Sequence, residues 1–143
     1  GVLPTGSTPK IGRVMVFKLG AKGELPEIPA SEITLPAIPA LLDVSEEVIG
    51  RGAYAYANNC ISCHGDQAYS SGLVPNLRYS AVTTNADAWS RIVLGGALAK
   101  QGMPNFGNVL NAEETEAIRA FVISEANSNR DKAFYESTST DQL

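Results

Sequence analysis

Cys60, Ile61, Ser62, Cys63 and His64 hold all the thiols and the sole imidazole of a chain that has 2 cysteines and 1 histidine. On a helical turn, residues three apart project to the same side, so both sulfurs reach one edge of a planar ligand while the next residue turns beneath its centre. Two thiols followed directly by a histidine match the attachment signature of c-type haem, in which the sulfurs bond the porphyrin's vinyl groups and the imidazole ligates iron. Cys60, Cys63 and His64 are therefore candidate cofactor-binding residues, and His64 is a candidate metal ligand.

Two other chemistries compete for this motif. A zinc site needs two more ligands, and the chain has no further Cys or His. A redox dithiol of the thioredoxin kind wants a strand before it and a helix after, whereas the pattern before Cys60 is helical. For a haem iron the next question is the sixth ligand. Soft thioether sulfur suits low-spin iron and raises its potential, and the only methionines are Met15 and Met103. Met103 lies between Gly102 and Pro104, far downstream of His64, with enough chain between them to pass around a ring and return on its other face. It is the second candidate metal ligand, and Met15, in a strand-like run near the start, is assigned to packing. An iron left open on that side would instead make a peroxidase or a gas sensor, recognisable by a high-spin ferric spectrum or ready carbon monoxide binding.

Three helices are predicted to position these groups. The first runs from about Ser45 to Asn58, with Ser45 as its cap and Glu46 and Glu47 where the helix dipole favours acid. Val48, Gly52, Tyr56 and Cys60 recur at intervals of four along one face, and Gly52 opens a notch there for close approach. A short second helix covers about Asp87 to Leu94, with Trp89, Ile92 and Val93 at helical spacing. The third starts at a capping box formed by Asn111 and Glu114, and carries an apolar stripe of Ile118, Phe121 and Val122 through about Ala126. Ile11 to Leu19 reads as a lone strand, and Pro26, Pro29, Pro36 and Pro39 mark an extended linker. Residues 1–20 are thus expected to form a strand segment, 21–42 a proline-rich linker, 43–127 the helical domain and 128–143 a polar tail.

Bulk properties narrow the function. At 143 residues the chain holds one ordinary domain with extensions, and its 44% hydrophobic content leaves material for one modest core. The 11 basic residues are scattered and the net charge is −4, which argues against nucleic acid. No stretch approaches the roughly 20 apolar residues of a membrane span. The first residues lack the order of a signal peptide, so a mature or excised segment is expected.

From about Ser45 to Ala126 the chain resembles the class I cytochromes c, an all-α fold of helices wrapped around one covalent haem. The resemblance implies that Gly52 and Tyr56 cross the last helix near Phe121. It further implies that Pro75 and Leu77 follow the haem motif as in the family, the carbonyl of Pro75 accepting the Nδ1 hydrogen of His64. Trp89 resembles the aromatic that packs near a haem propionate, and Arg78, Tyr79 and Arg91 are further propionate candidates.

More of the chain is similar to the C-terminal end of the type II quinohaemoprotein alcohol dehydrogenases: Val14 to Pro26, the proline-rich stretch, Cys60 to Gly65, Gly72 to Ser80 and Gly102 to Gly107. In that family a propeller domain binding pyrroloquinoline quinone (PQQ) oxidises the alcohol and hands electrons to a cytochrome domain on the same chain. The resemblance implies one haem c on this chain, PQQ on a parent dehydrogenase domain and not here, a downstream electron acceptor, and a periplasmic location. Alcohol oxidation belongs to the propeller, so the chain alone is expected to be an outer-sphere electron relay. A free-standing periplasmic cytochrome shuttle or oxidase subunit is the alternative.

Overall fold

The computed structural model describes residues 18–20, 22–23, 38–70 and 74–128. The expected N-terminal strand, Met15, most of the linker and the polar tail lie outside the described residues; the strand's last two positions, Lys18 and Leu19, are exposed and non-strand. Among the described residues the architecture is all-helical: α1 (Glu46–Asn59), α2 (Ile61–His64), α3 (Ala86–Val93) and α4 (Ala112–Asn127), joined by short 3₁₀ turns.

Local chemistry accounts for the helix ends. Ser45 caps α1 through its hydroxyl oxygen, which accepts from the Val48 amide at 3.4 Å. Asn85 caps α3 by accepting from the Ala88 amide at 2.9 Å. At α4 both halves of the capping box form: the Glu114 amide donates to Asn111 Oδ1, and the Asn111 amide to Glu114 Oε2, each at 2.9 Å. α4 runs one residue beyond the expected end. Asn127 belongs to it, and its side-chain amide donates to the Ile123 carbonyl and to that of buried Pro39, so the end of the linker is fastened to the last helix turn.

α1 and α4 form the central crossing. Gly52 is buried against the backbone of Ala117 and Ile118, which fills the notch in α1, and one turn on Tyr56 meets Phe121 with ring centroids 5.2 Å apart. Burial on α4 extends well beyond the expected stripe, taking in Thr115, Ala117, Arg119 and Ala120. Arg119 is held there because its Nη1 donates to the Thr83 carbonyl at 2.7 Å and its Nε to Glu116 Oε2 at 2.8 Å; the hydrogen bond to Glu116 raises the guanidinium's pKa further.

Trp89 locks α3 onto α4. Its ring is buried and its indole Nε1 donates to the Thr115 carbonyl at 2.9 Å. Trp89→Phe keeps an aromatic in place and removes that interhelical hydrogen bond, leaving the carbonyl only its place in the α4 ladder. The expected loss is about 1–2 kcal/mol of folding stability, read as a lower urea midpoint at unchanged slope.

Candidate functional site

The thiols stand where α1 hands over to α2. The Cys60 amide still closes the last turn of α1 on the Tyr56 carbonyl at 2.8 Å, and its own carbonyl accepts from the His64 amide at 2.9 Å. One continuous helical path therefore carries both cysteines and the histidine. Cys60 is half-buried, Cys63 is exposed, and neither is in a disulfide. Burial pushes the Cys60 thiol up to about 11, with the neighbouring Cys63 adding to the shift.

His64 is half-buried, and its Nδ1 lies 3.2 Å from the Pro75 carbonyl oxygen. A carbonyl can only accept, so Nδ1 carries the hydrogen and Nε2 is left with a lone pair. Burial lowers the imidazole's pKa, and the Pro75 contact opposes that in part. The result is a neutral, oriented imidazole, the form that ligates a metal.

After His64 the backbone takes an unusual path. Gly65 has φ 76°, and the non-glycine residues Gln67 and Ala68 also sit at positive φ, 52° and 61°. Such conformations cost of order 1–3 kcal/mol each and persist only where the surroundings hold them. Here Tyr56 Oη donates to the Gly65 carbonyl and Arg78 Nε to the Gln67 carbonyl, both at 2.7 Å. Nothing in the residue types of Gln67 and Ala68 signals this turn; Gly65 was its only sequence mark.

The remaining expected residues fall in two groups. Leu77 and Met103 are partly buried and, with Cys60 and Phe106, pack against the core cluster that contains Tyr56, Trp89, Val93 and Phe121. Met103 hangs from the loop between α3 and α4: its amide donates to the Leu98 carbonyl at 3.2 Å, and the Phe106 amide to Val93 at 2.9 Å. Arg78 is only 3% exposed, with Nη2 3.7 Å from Glu125 Oε2 and its guanidinium over the Tyr69 ring at 5.5 Å. Tyr79 is buried and Arg91 exposed. Trp89 directs its single indole hydrogen at Thr115, so a propionate would have to displace that bond.

The donor set fits a haem: two unoxidised thiols on one helical path, an imidazole with a free Nε2, and a thioether on the rim of the same apolar cluster. Helices packed as α1 across α4, with this site at the end of α1, define a class I cytochrome c domain, which binds haem and transfers electrons. The comparisons carry this further: residues 47–122 match the family of cytochrome c domains described as cytochrome c oxidase, cbb3-type, subunit III, and the chain belongs to that family.

Longer proteins contain a similar segment. The chain is 36% identical over 112 residues to quinohemoprotein alcohol dehydrogenase ADH IIB of Pseudomonas putida, covering 78% of this chain and 16% of that protein. It is 32% identical over 127 residues to the dehydrogenase subunit of the quinone alcohol dehydrogenase of Gluconobacter oxydans, 89% of this chain and 16% of the relative. The solved structure of quinohemoprotein alcohol dehydrogenase ADHIIG from Pseudomonas putida HK5 superimposes with a TM-score of 0.62 at 30% identity, over 80% of this chain and 16% of that one. The chain thus spans about a sixth of the length of these relatives. No helix among the described residues is long and apolar enough to cross a membrane.

Proposed function

We propose that this chain carries one covalently bound haem c, held by Cys60 and Cys63 and ligated axially by His64 and Met103. It receives electrons from the PQQ cofactor of an alcohol-oxidising propeller domain and passes them to an external acceptor in the periplasm. The observation that carries the reading is the His64 contact with Pro75, which leaves Nε2 unprotonated beside the two thiols. The segments similar to quinohaemoprotein dehydrogenases, and the much greater length of those relatives, support a donor on the same parent chain.

When bound, the haem supplies a one-electron ferric/ferrous couple. The chain does the rest. Cys60 and Cys63 would hold the haem by its vinyl groups, His64 and Met103 would ligate its iron and so keep substrate from it, and the core cluster around Tyr56 and Phe121 would keep water from the buried side. Exposed Cys63 leaves one edge open for electron entry or exit. No side chain has to move a proton.

Two experiments test the reading. Cys60→Ala and Cys63→Ala each leave one vinyl group conjugated with the porphyrin, so the pyridine haemochrome band of either single variant moves to longer wavelength, and acid–acetone strips the pigment only from the double variant. A haemochrome band identical to that of the unsubstituted chain would show that the thiols do not bond the ring. For the donor, the full-length parent protein loaded with PQQ should show haem reduction within the time of a single turnover after alcohol is added. Without PQQ the spectrum should stay ferric.

A further inference from the structure

We propose that Arg78 is a positioning residue for His64: it ties the left-handed turn that follows the histidine to the segment that presents the Pro75 carbonyl, and so sets the strength of the hydrogen bond at Nδ1. The inference rests on His64 being an iron ligand, as proposed above, and goes beyond it by assigning Arg78 away from a propionate.

The geometry is specific. Arg78 belongs to the 3₁₀ turn Leu77–Tyr79, three residues after Pro75, and its side chain crosses to the Gln67 carbonyl, three residues after His64. Gln67 and Ala68 are both non-glycine residues at positive φ. Left to itself, that stretch would relax, and His64, immediately before it, would move relative to Pro75. Glu125 faces the guanidinium at 3.7 Å and Tyr69 lies beneath it, so Arg78 is fixed from several sides. Ser70 Oγ donates to the Val74 carbonyl at 2.7 Å, making a second tie between the same two segments. Tyr56 holds the near end of the turn through the Gly65 carbonyl.

A hydrogen bond from Nδ1 to a carbonyl makes the imidazole a stronger donor to the metal, which favours the ferric state. Weakening it therefore raises the reduction potential. Removing a cation that compensates a propionate would do the reverse, because the ferrous state would lose a favourable charge. A substitution that keeps the charge therefore separates the two roles: it raises the potential if Arg78 positions His64, and leaves it in place or lowers it if the residue serves a propionate.

The test uses the haem-loaded protein and Arg78→Lys, which keeps the charge while removing Nε and the planar fork. The expected result is an attached low-spin haem, an upward shift in potential, and several-fold faster solvent exchange of the His64 Nδ1 hydrogen by NMR of the diamagnetic ferrous form. A potential that stays put or falls, with haem retained, would overturn the assignment. Should Arg78→Lys fail to accumulate, Ser70→Ala cuts the parallel tie, and the same upward shift at smaller size is required. If the unsubstituted chain shows no low-spin haem, the ligation reading itself fails, an outcome the absorption spectrum reports before any potential is measured.

Discussion

With His64 and Met103 as the proposed iron ligands, Met103→Ala is expected to lower the reduction potential, open the iron to small ligands and leave the porphyrin on the chain. The three effects separate because attachment and ligation use different residues. In the proposed ligation Cys60 and Cys63, on the α1–α2 path, would hold the ring's edge by covalent bonds, whereas Met103 reaches the core cluster from the loop before α4. Thioether sulfur accepts electron density and favours the ferrous state, so its loss moves the couple toward the lower part of the roughly 0.8 V range that axial ligands span. Truncation to a methyl group also leaves space where the thioether packed. Carbon monoxide should then bind the reduced variant readily while the unsubstituted protein resists it, and a spectroelectrochemical titration should register the drop in potential. Unaltered potential together with continued resistance to carbon monoxide would mean that a different group closes that axial position.

What the sequence made legible was whatever depends on neighbours a few residues away. The capping box of Asn111 and Glu114, the Ser45 cap and the placement of both thiols and His64 on one helical path are local, and each forms with ordinary hydrogen-bond geometry. The helix bounds were correspondingly close, α1 and α3 each shifting by a single residue. Less legible was what depends on remote backbone. Trp89 read as a propionate neighbour because an indole hydrogen needs an acceptor, but the acceptor here is a main-chain carbonyl on another helix, which no side-chain pattern records. Arg78 read as a propionate candidate or a surface residue for the same reason, and nothing singled out Arg119; both are buried on carbonyls, of Gln67 and Thr83. The left-handed turn at Gln67 and Ala68 runs against the preferences of both residues, so only tertiary contacts could reveal it.

Gly52→Ala is expected to cost more stability than any other single methyl added on α1, and the reason is backbone geometry. A Cβ on Gly52 would fall well inside contact distance of the Ala117 carbonyl oxygen and carbon, with the Ile118 amide nitrogen 3.1 Å away. A side chain in that position could swing aside; main-chain atoms in the middle of α4 cannot, so α1 and α4 must separate. Alanine's better helix propensity returns at most about 1 kcal/mol, while overpacking of this kind costs about 1–3 kcal/mol or more. The net loss should be about 1–2 kcal/mol, a fall of roughly 5–15 °C in Tm for a domain of this size. Separation of the helices also pulls Tyr56 from Phe121 and slackens its hold on Gly65. Gly50→Ala supplies the control on the same helix, because Gly50 is exposed and nothing lies within 4 Å of its would-be Cβ. That variant gains the propensity term without the clash, so its Tm should rise. Thermal unfolding of the two haem-loaded variants should therefore move in opposite directions, and a shared direction would mean that the crossing at Gly52 does not hold the fold together.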